Sequence, residues 1–272
     1  MDQTRLRRLP GKVVEVRSSD SIADAVTDTI LTVAAEIVMP RFGTLQAGDV
    51  AEKHPGDLVT IADREAEAAI ARAIRDLRPT AFIVGEEQVF ADPTSLDGLA
   101  TAEDAWVIDP VDGTRNFANG SPNFAIMVAH VRAGTTVEGW IYQPVNQAMY
   151  QAESGAGVRL GGEPVVRRAA RERLLGSAYV RLATPPDVID LVRGASACGI
   201  DYPRLVEGEF DFLLYREGKP WDHLAGALMT VESGGRSATL AGDDYRPGVT
   251  CAPLSVVPAD QWELVRTALA AK

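Results

Sequence analysis

Thiols and imidazoles are scarce in this chain. Cys198 and Cys251 are its two cysteines and His54, His130 and His223 its three histidines, in 272 residues. None of the five stands in a spacing that binds zinc or builds a His-rich iron centre. Both cysteines read as small buried apolar residues and not as a disulfide, which suits a reducing cytoplasm, and neither has the basic neighbour that a cysteine nucleophile needs. Positive charge is short as well: the formal net charge is −11 and aromatics make up 6% of the chain. No basic stripe interleaved with aromatics occurs, which excludes nucleic acid as the expected partner. No apolar run approaches the roughly 20 residues that span a bilayer, so no membrane is expected either. One basic cluster, Arg5 to Arg8 with Lys12 and Arg17, occupies residues 1–20. Without an apolar run and with Asp2 and Glu15 among the basic residues, it reads as a solvated N-terminal tail and not as a targeting segment.

What remains has the balance of a globular protein, 46% hydrophobic and 24% charged, long enough for one large domain or two closely packed halves. Ile22, Val26, Ile30, Val33 and Ile37 recur at helical spacing until Pro40. A Gly- and charge-rich loop is expected over 43–57. Thr60 and Asp63 read as a capping box opening a second helix that Pro79 closes. Ala81 to Val84 and Trp106 to Ile108 are short buried strands, with a polar loop over 92–104. The stretches 124–131, 137–143 and 148–152 predict an antiparallel meander. A second half, 155–272, alternates strands (175–180, 210–215) with helices (186–192, 197–206, one opening at Pro220, and 259–270). The first half is 21–154, and the fold class is a layered α/β arrangement.

Carboxylates sit at the ends of these elements. Glu86 follows one apolar strand. Asp109 and Asp112 follow another across Pro110, and a turn there can aim both carboxylates and the Val111 carbonyl at one point. Gly113 permits a positive φ or a close backbone approach, and Thr114 begins a segment whose N–H groups can face an anion. Oxygen donors crowded this way suit Mg²⁺ and repel one another without a cation.

Asp57 to Asp63, Gly85-Glu86-Glu87, Asp109-Pro110-Val111-Asp112-Gly113-Thr114-Arg115-Asn116-Phe117 and Trp221-Asp222 with Gly234-Gly235 together resemble the inositol monophosphatase family of lithium-sensitive, metal-dependent phosphatases. The resemblance implies an αβαβα sandwich, a homodimer, and an active site between the halves. It implies two or three Mg²⁺ ions, with Glu86, Asp109 and the Val111 carbonyl on the first and Asp109, Asp112 and Asp222 on the second. Glu86 and Thr114 would orient the attacking water, with Asp63 bonded to the Thr114 hydroxyl. Asp112 with the Gly113 and Thr114 N–H groups would line the phosphate site. Lys53 matches a lysine that the family places in a mobile loop on the substrate side.

The implied substrate is a small phosphorylated metabolite, with inositol 1-phosphate first. Tyr215 stands where inositol phosphatases commonly carry a polyol-binding Glu, so it is expected on the substrate wall. Histidinol phosphate and 3′-phosphoadenosine 5′-phosphate are alternatives, although the Trp-Gly-Gly-Asp segment expected for histidinol phosphate is replaced by Ala195-Ser196-Ala197-Cys198. Some family members are protein-binding regulators of transcription, a reading in which the basic tail would be the contact.

Overall fold

In the computed structural model, the described residues are 21–270 without 47, 55–56, 170 and 181–186, plus the backbone of 5–9 and 12–16. In chain order, β1 (Arg5–Leu9) and β2 (Lys12–Val16) pair antiparallel where an unstructured tail is expected from the sequence. Helix α1 (Ile22–Val33) runs on through a π turn and a 3₁₀ turn that contains Pro40. Strands β3 (Val50–His54) and β4 (Asp57–Thr60) form a hairpin whose first strand lies inside the segment expected to be a loop, 43–57, and whose second begins at its end. Then come α2 (Ile61–Leu77), β5 (Phe82–Gly85), α3 (Glu86–Ala91), β6 (Ala105–Asp112), α4 (Thr114–Ala118) and β7 (Ala125–Arg132). The meander continues with β8 (Thr135–Gln143), β9 (Ala148–Glu153), β10 (Gly157–Leu160) and β11 (Glu163–Pro164). The chain ends through β12 (Leu174–Ala178), β13 (Ile189–Leu191), α5 (Cys198–Glu207), β14 (Phe212–Leu214), α6 (Pro220–Glu232), β15 (Arg236–Thr239), β16 (Pro253–Val256) and α7 (Trp262–Ala270).

Two sheets organise these elements. The larger has the order β11-β10-β9-β8-β7-β6-β5 and the smaller β13-β12-β14-β16-β15. The larger sheet takes in β10 and β11, so the division expected near residue 155 falls inside it. The helix expected over 186–192 is instead strand β13, parallel to β12. Ile189 is buried beside an exposed Asp190, the alternation of a sheet edge, and three residues are too few to show a helical period.

The layers follow from which faces are apolar. Val26 and Ile30 of α1 and Ala66, Ile70 and Ile74 of α2 pack with Trp106, Ile108 and Trp140 on one face of the larger sheet. On its other face, Val107, Met127 and Ile141 meet Tyr202 and Leu205 of α5 and Leu224 and Met229 of α6. Beyond those two helices lies the smaller sheet, whose outer face packs Phe212, Leu254 and Val256 against Trp262 and Val265 of α7. The order is αβαβα. Both α5 and α6 are therefore enclosed between sheets, which explains why each is buried along nearly its whole length. That enclosure buries Cys198 at the start of α5, whereas Cys251, expected from the sequence to be buried too, is exposed in the loop before β16. Among the described residues no helix is long and apolar enough to cross a membrane.

Candidate active site

Strand β6 carries the centre of the site. It is buried at all eight positions and lies between parallel β5 and antiparallel β7. In a regular strand, residues three apart point to opposite faces, which would separate Asp109 from Asp112. The ladder to β7 slips between them: Asp109 pairs with Met127 and Asp112 with Ala125, so three steps on β6 match two on β7. Pro110 has no N–H to give a regular ladder, and the resulting bulge turns both carboxylates to one side. One oxygen of each, with one from Asp222, lies within 4.8 Å of the others. Asp222 arrives from the other half of the chain, in the first turn of α6.

The positive φ of Gly113, 82°, ends the strand and starts α4. A side chain here would also collide: a Cβ would stand 2.9 Å from the Asn123 carbonyl oxygen and 3.0 Å from the Ala197 Cβ. The next residue, Thr114, has its hydroxyl oxygen 3.0 Å from Asp63 Oδ1 and 3.0 Å from the Val111 carbonyl oxygen. The other Asp63 oxygen accepts the Thr60 N–H at 2.9 Å and the Thr60 hydroxyl, completing the cap of α2. Asp63 is therefore both a helix cap and the partner of Thr114.

Glu86 opens α3 at the end of β5, next to β6. Lys53, on strand β3 and not in a loop, holds its ammonium 3.0 Å from Glu86 Oε1 and in contact with Glu87. Burial opposes the Lys53 charge, and the two glutamates outweigh it, leaving the ammonium pKa above its ordinary value.

Sequence reasoning missed two supports. Glu67, on α2, accepts the N–H groups of Glu87 at 2.7 Å and Gln88 at 2.9 Å, anchoring the first turn of α3 and with it Glu86. Its signal was present: Glu67 stands four residues after Asp63, on the same buried face of α2. A Cβ at Gly85 would collide with its carboxylate. The second support is Asp112 itself, whose oxygens accept the N–H groups of Cys198 at 3.1 Å and Gly199 at 2.7 Å at the start of α5. No local pattern near residue 112 announces a partner 86 residues away.

The electrostatics are those of crowded acids. Burial, then Glu86 and Asp112, drives Asp109 well above the usual carboxylate range. Asp222 is raised by burial and the same neighbours. Burial pushes Asp112 up to about 7 against the pull of the α5 amides, and Asp63 up to about 6. Asp109 Oδ1 is buried with no hydrogen-bond partner among the described residues. An oxygen-only donor set with an orphaned lone pair at its centre fits a hard divalent cation and neither Cys-rich nor His-rich metal chemistry.

A cavity of about 290 Å³ opens beside the cluster, lined among others by Asp112, Tyr179, Tyr215, Arg216, Asp222 and His223. Tyr215 thus stands on the wall next to the acids. His223 is held as a neutral ring: burial lowers it to about 4, and its Nε2 donates to the Glu217 carbonyl at 2.6 Å.

The profile of the inositol monophosphatase family matches residues 19–271. The chain belongs to that family. Its members are metal-dependent phosphatases, and this chain is an enzyme of the same kind, a phosphomonoesterase. It is 32% identical over 218 residues to an inositol-1-monophosphatase of Rhizobium meliloti, covering 74% of this chain and 79% of the relative. It is 31% identical over 227 residues to the Nus factor SuhB of Pseudomonas aeruginosa, covering 77% and 82%. A solved IMPase/NADP phosphatase complexed with Mg²⁺ and phosphate has the same fold, with a TM-score of 0.78 at 20% identity over 92% of this chain and 95% of that one.

Proposed function

We propose that the site hydrolyses a small phosphate monoester with Mg²⁺ held by Glu86, Asp109, the Val111 carbonyl, Asp112 and Asp222. One observation carries this reading. Two buried carboxylates and a half-buried one, from two halves of the chain, converge within 4.8 Å, and one of their oxygens has no partner among the described residues. Such an arrangement is costly unless a cation completes it. When bound, the ions supply Lewis-acid charge to the phosphoryl group and to the attacking water.

The protein's own groups do the rest. The Thr114 hydroxyl, with Asp63 at 3.0 Å as proton acceptor, keeps its oxygen lone pairs available to a water. Glu86 is the second acceptor for that water and is kept in place by the Glu67 carboxylate beneath α3 and by Lys53. The Gly113 and Thr114 N–H groups, beside Asp112, receive the phosphate. Lys53 serves as a counter-charge to Glu86 and Glu87, a role its ion pairs favour over direct contact with substrate.

Inositol 1-phosphate is the first substrate to try, on the strength of what the Rhizobium relative is named for. Phosphate release by metal-stripped protein, with and without added Mg²⁺, tests the reading. Turnover should appear only with the metal and vanish with EDTA, and full turnover in stripped buffer would sink it. A second reading, a protein-binding role in transcription, has in its favour the name of the Pseudomonas relative. In that case a pull-down should lose its captured protein when residues 1–20 are removed, while phosphate release is unaffected.

A further inference from the structure

The fold brings together a thiol and an imidazole that the sequence keeps apart. Cys198 is the first residue of α5, and His223 follows Asp222 in the first turn of α6. The Cys198 Sγ, a ring nitrogen of His223 and a carboxylate oxygen of Asp222 all lie within 4.8 Å of one another. Asp222 belongs as well to the cluster with Asp109 and Asp112.

A buried cysteine is ordinarily a small packing residue. Three features set this one apart. The first is access: Cys198, Asp222 and His223 all line the 290 Å³ cavity beside the carboxylates, and Cys198 keeps 9% of its surface exposed. The second is the state of His223. Its Nε2 donates to the Glu217 carbonyl at 2.6 Å, which leaves the lone pair on Nδ1. A backbone carbonyl on the other nitrogen is how a metal-binding imidazole is oriented. The Tyr202 hydroxyl approaches Nδ1 at 3.3 Å, too long a contact to hold that lone pair firmly. The third feature is the donor set. Thiol, imidazole and carboxylate together suit Zn²⁺, whereas Mg²⁺ takes oxygen. Bonds of about 2.0–2.3 Å put the ligand atoms of a tetrahedral zinc about 3.3–3.8 Å apart, so side-chain shifts of about 1 Å would close this set on an ion.

We infer that Cys198, Asp222 and His223 form a second metal site, one that selects Zn²⁺ and similar thiol-binding divalent ions and draws Asp222 away from the carboxylate cluster. Burial, then Asp112 and Asp222, raises the Cys198 thiol well above its ordinary value, so the metal-free site holds a neutral thiol. Its proton passes to solvent as the metal–sulfur bond forms, with no change of oxidation state. Three protein ligands leave a fourth position for water from the cavity. Because Asp222 cannot serve two ions fully, Zn²⁺ bound here inhibits the phosphatase. That consequence rests on the phosphatase reading; the site itself does not.

Co²⁺ is the first probe, because it takes zinc's ligands and reports them optically. Titrated into the metal-stripped protein, it should produce a thiolate-to-metal charge-transfer band. Cys251→Ser should keep the band and Cys198→Ser should abolish it. His223→Gln should weaken Co²⁺ binding by about tenfold or more, since losing even an outer partner of a metal ligand costs about 10–100-fold. X-ray absorption of the Zn²⁺-loaded Cys251→Ser protein should show one sulfur at about 2.3 Å, a measurement that holds even where Cys198→Ser fails to fold. In Mg²⁺ buffer, Zn²⁺ should inhibit hydrolysis of p-nitrophenyl phosphate, and Cys198→Ser should raise the half-inhibitory concentration by about tenfold or more. A zinc shell without sulfur, no charge-transfer band, or a band lost in Cys251→Ser and kept in Cys198→Ser overturns the site. Zinc inhibition that Cys198→Ser leaves unchanged overturns it too, since the inhibiting ion would then sit on the carboxylates alone. The band in a protein that hydrolyses nothing keeps the site and sinks the phosphatase reading.

Discussion

Asp222→Asn and Asp112→Asn each remove one negative charge at nearly constant shape, yet they should affect the metal-free protein differently. Without metal, the site is a self-repelling cluster. Asp222 accepts no backbone hydrogen bond among the described residues, and its ionisation is opposed by burial, Glu86 and Asp112. Replacing it removes a penalty and little else. For Asp112, displacement from 3.8 to about 7 means that ionising it in place costs about 4 kcal/mol, which Asn would also relieve. But Asn turns one amide donor toward the α5 N–H groups. A lost charge-assisted bond costs about 1.5–3 kcal/mol, and a buried N–H left unpaired about 1–3 more. Relief and loss nearly cancel.

Thermal unfolding in EDTA at pH 8 should therefore show Asp222→Asn melting several degrees above wild type, at about 2–4 °C per kcal/mol for a chain of this size. Asp112→Asn should stay close to wild type. With saturating Mg²⁺ the wild type should gain most, because only its site binds the cation fully, and both variants should have lost most activity. The pH sign follows from the same groups. Asp63, Asp112 and Glu87 are raised to about 6, 7 and 7, so between about pH 4 and 7 the folded state holds protons that the unfolded chain has released. Metal-free stability should fall as pH rises through that window. An Asp222→Asn protein that melts below wild type in EDTA would refute the reasoning, since the acids would then not be repelling one another.

Three further outcomes are expected. Glu67→Gln keeps one acceptor for the α3 amides and loses the other, so it should raise the Mg²⁺ concentration for half-maximal activity by about tenfold, a change of about 1.4 kcal/mol; an unchanged Mg²⁺ titration would remove Glu67 from the support of Glu86. Gly113→Ala forces a side chain into a left-handed backbone and against the Asn123 carbonyl, costing about 1–3 kcal/mol, and a melting point equal to wild type would contradict that account. Lithium should inhibit at millimolar concentration, as the family resemblance implies, and an insensitive enzyme would set this chain apart from that branch.

Elements whose signals are local are legible in the sequence. The capping box at Thr60 and Asp63, the meander over β7 to β9, and the acids at strand ends can be read from neighbours along the chain, because periodicity and turn chemistry act over a few residues. The family is legible too, since its motif concentrates in the six residues from Asp109 to Thr114. Partnerships across the chain are not. Lys53 lies in a stretch that reads as a loop, and only the hairpin with β4 delivers its ammonium to Glu86. Asp112 reads as a ligand alone, and its hold on the start of α5 exists because α5 is enclosed between the two sheets. The three residues of β13 carry too little pattern to outweigh the helix expected there, and pairing with β12 decided their state. Sequence by itself determined which side chains could do the chemistry. The tertiary structure decided which of them meet, because hydrogen bonds and Coulomb forces depend on distances that only packing sets.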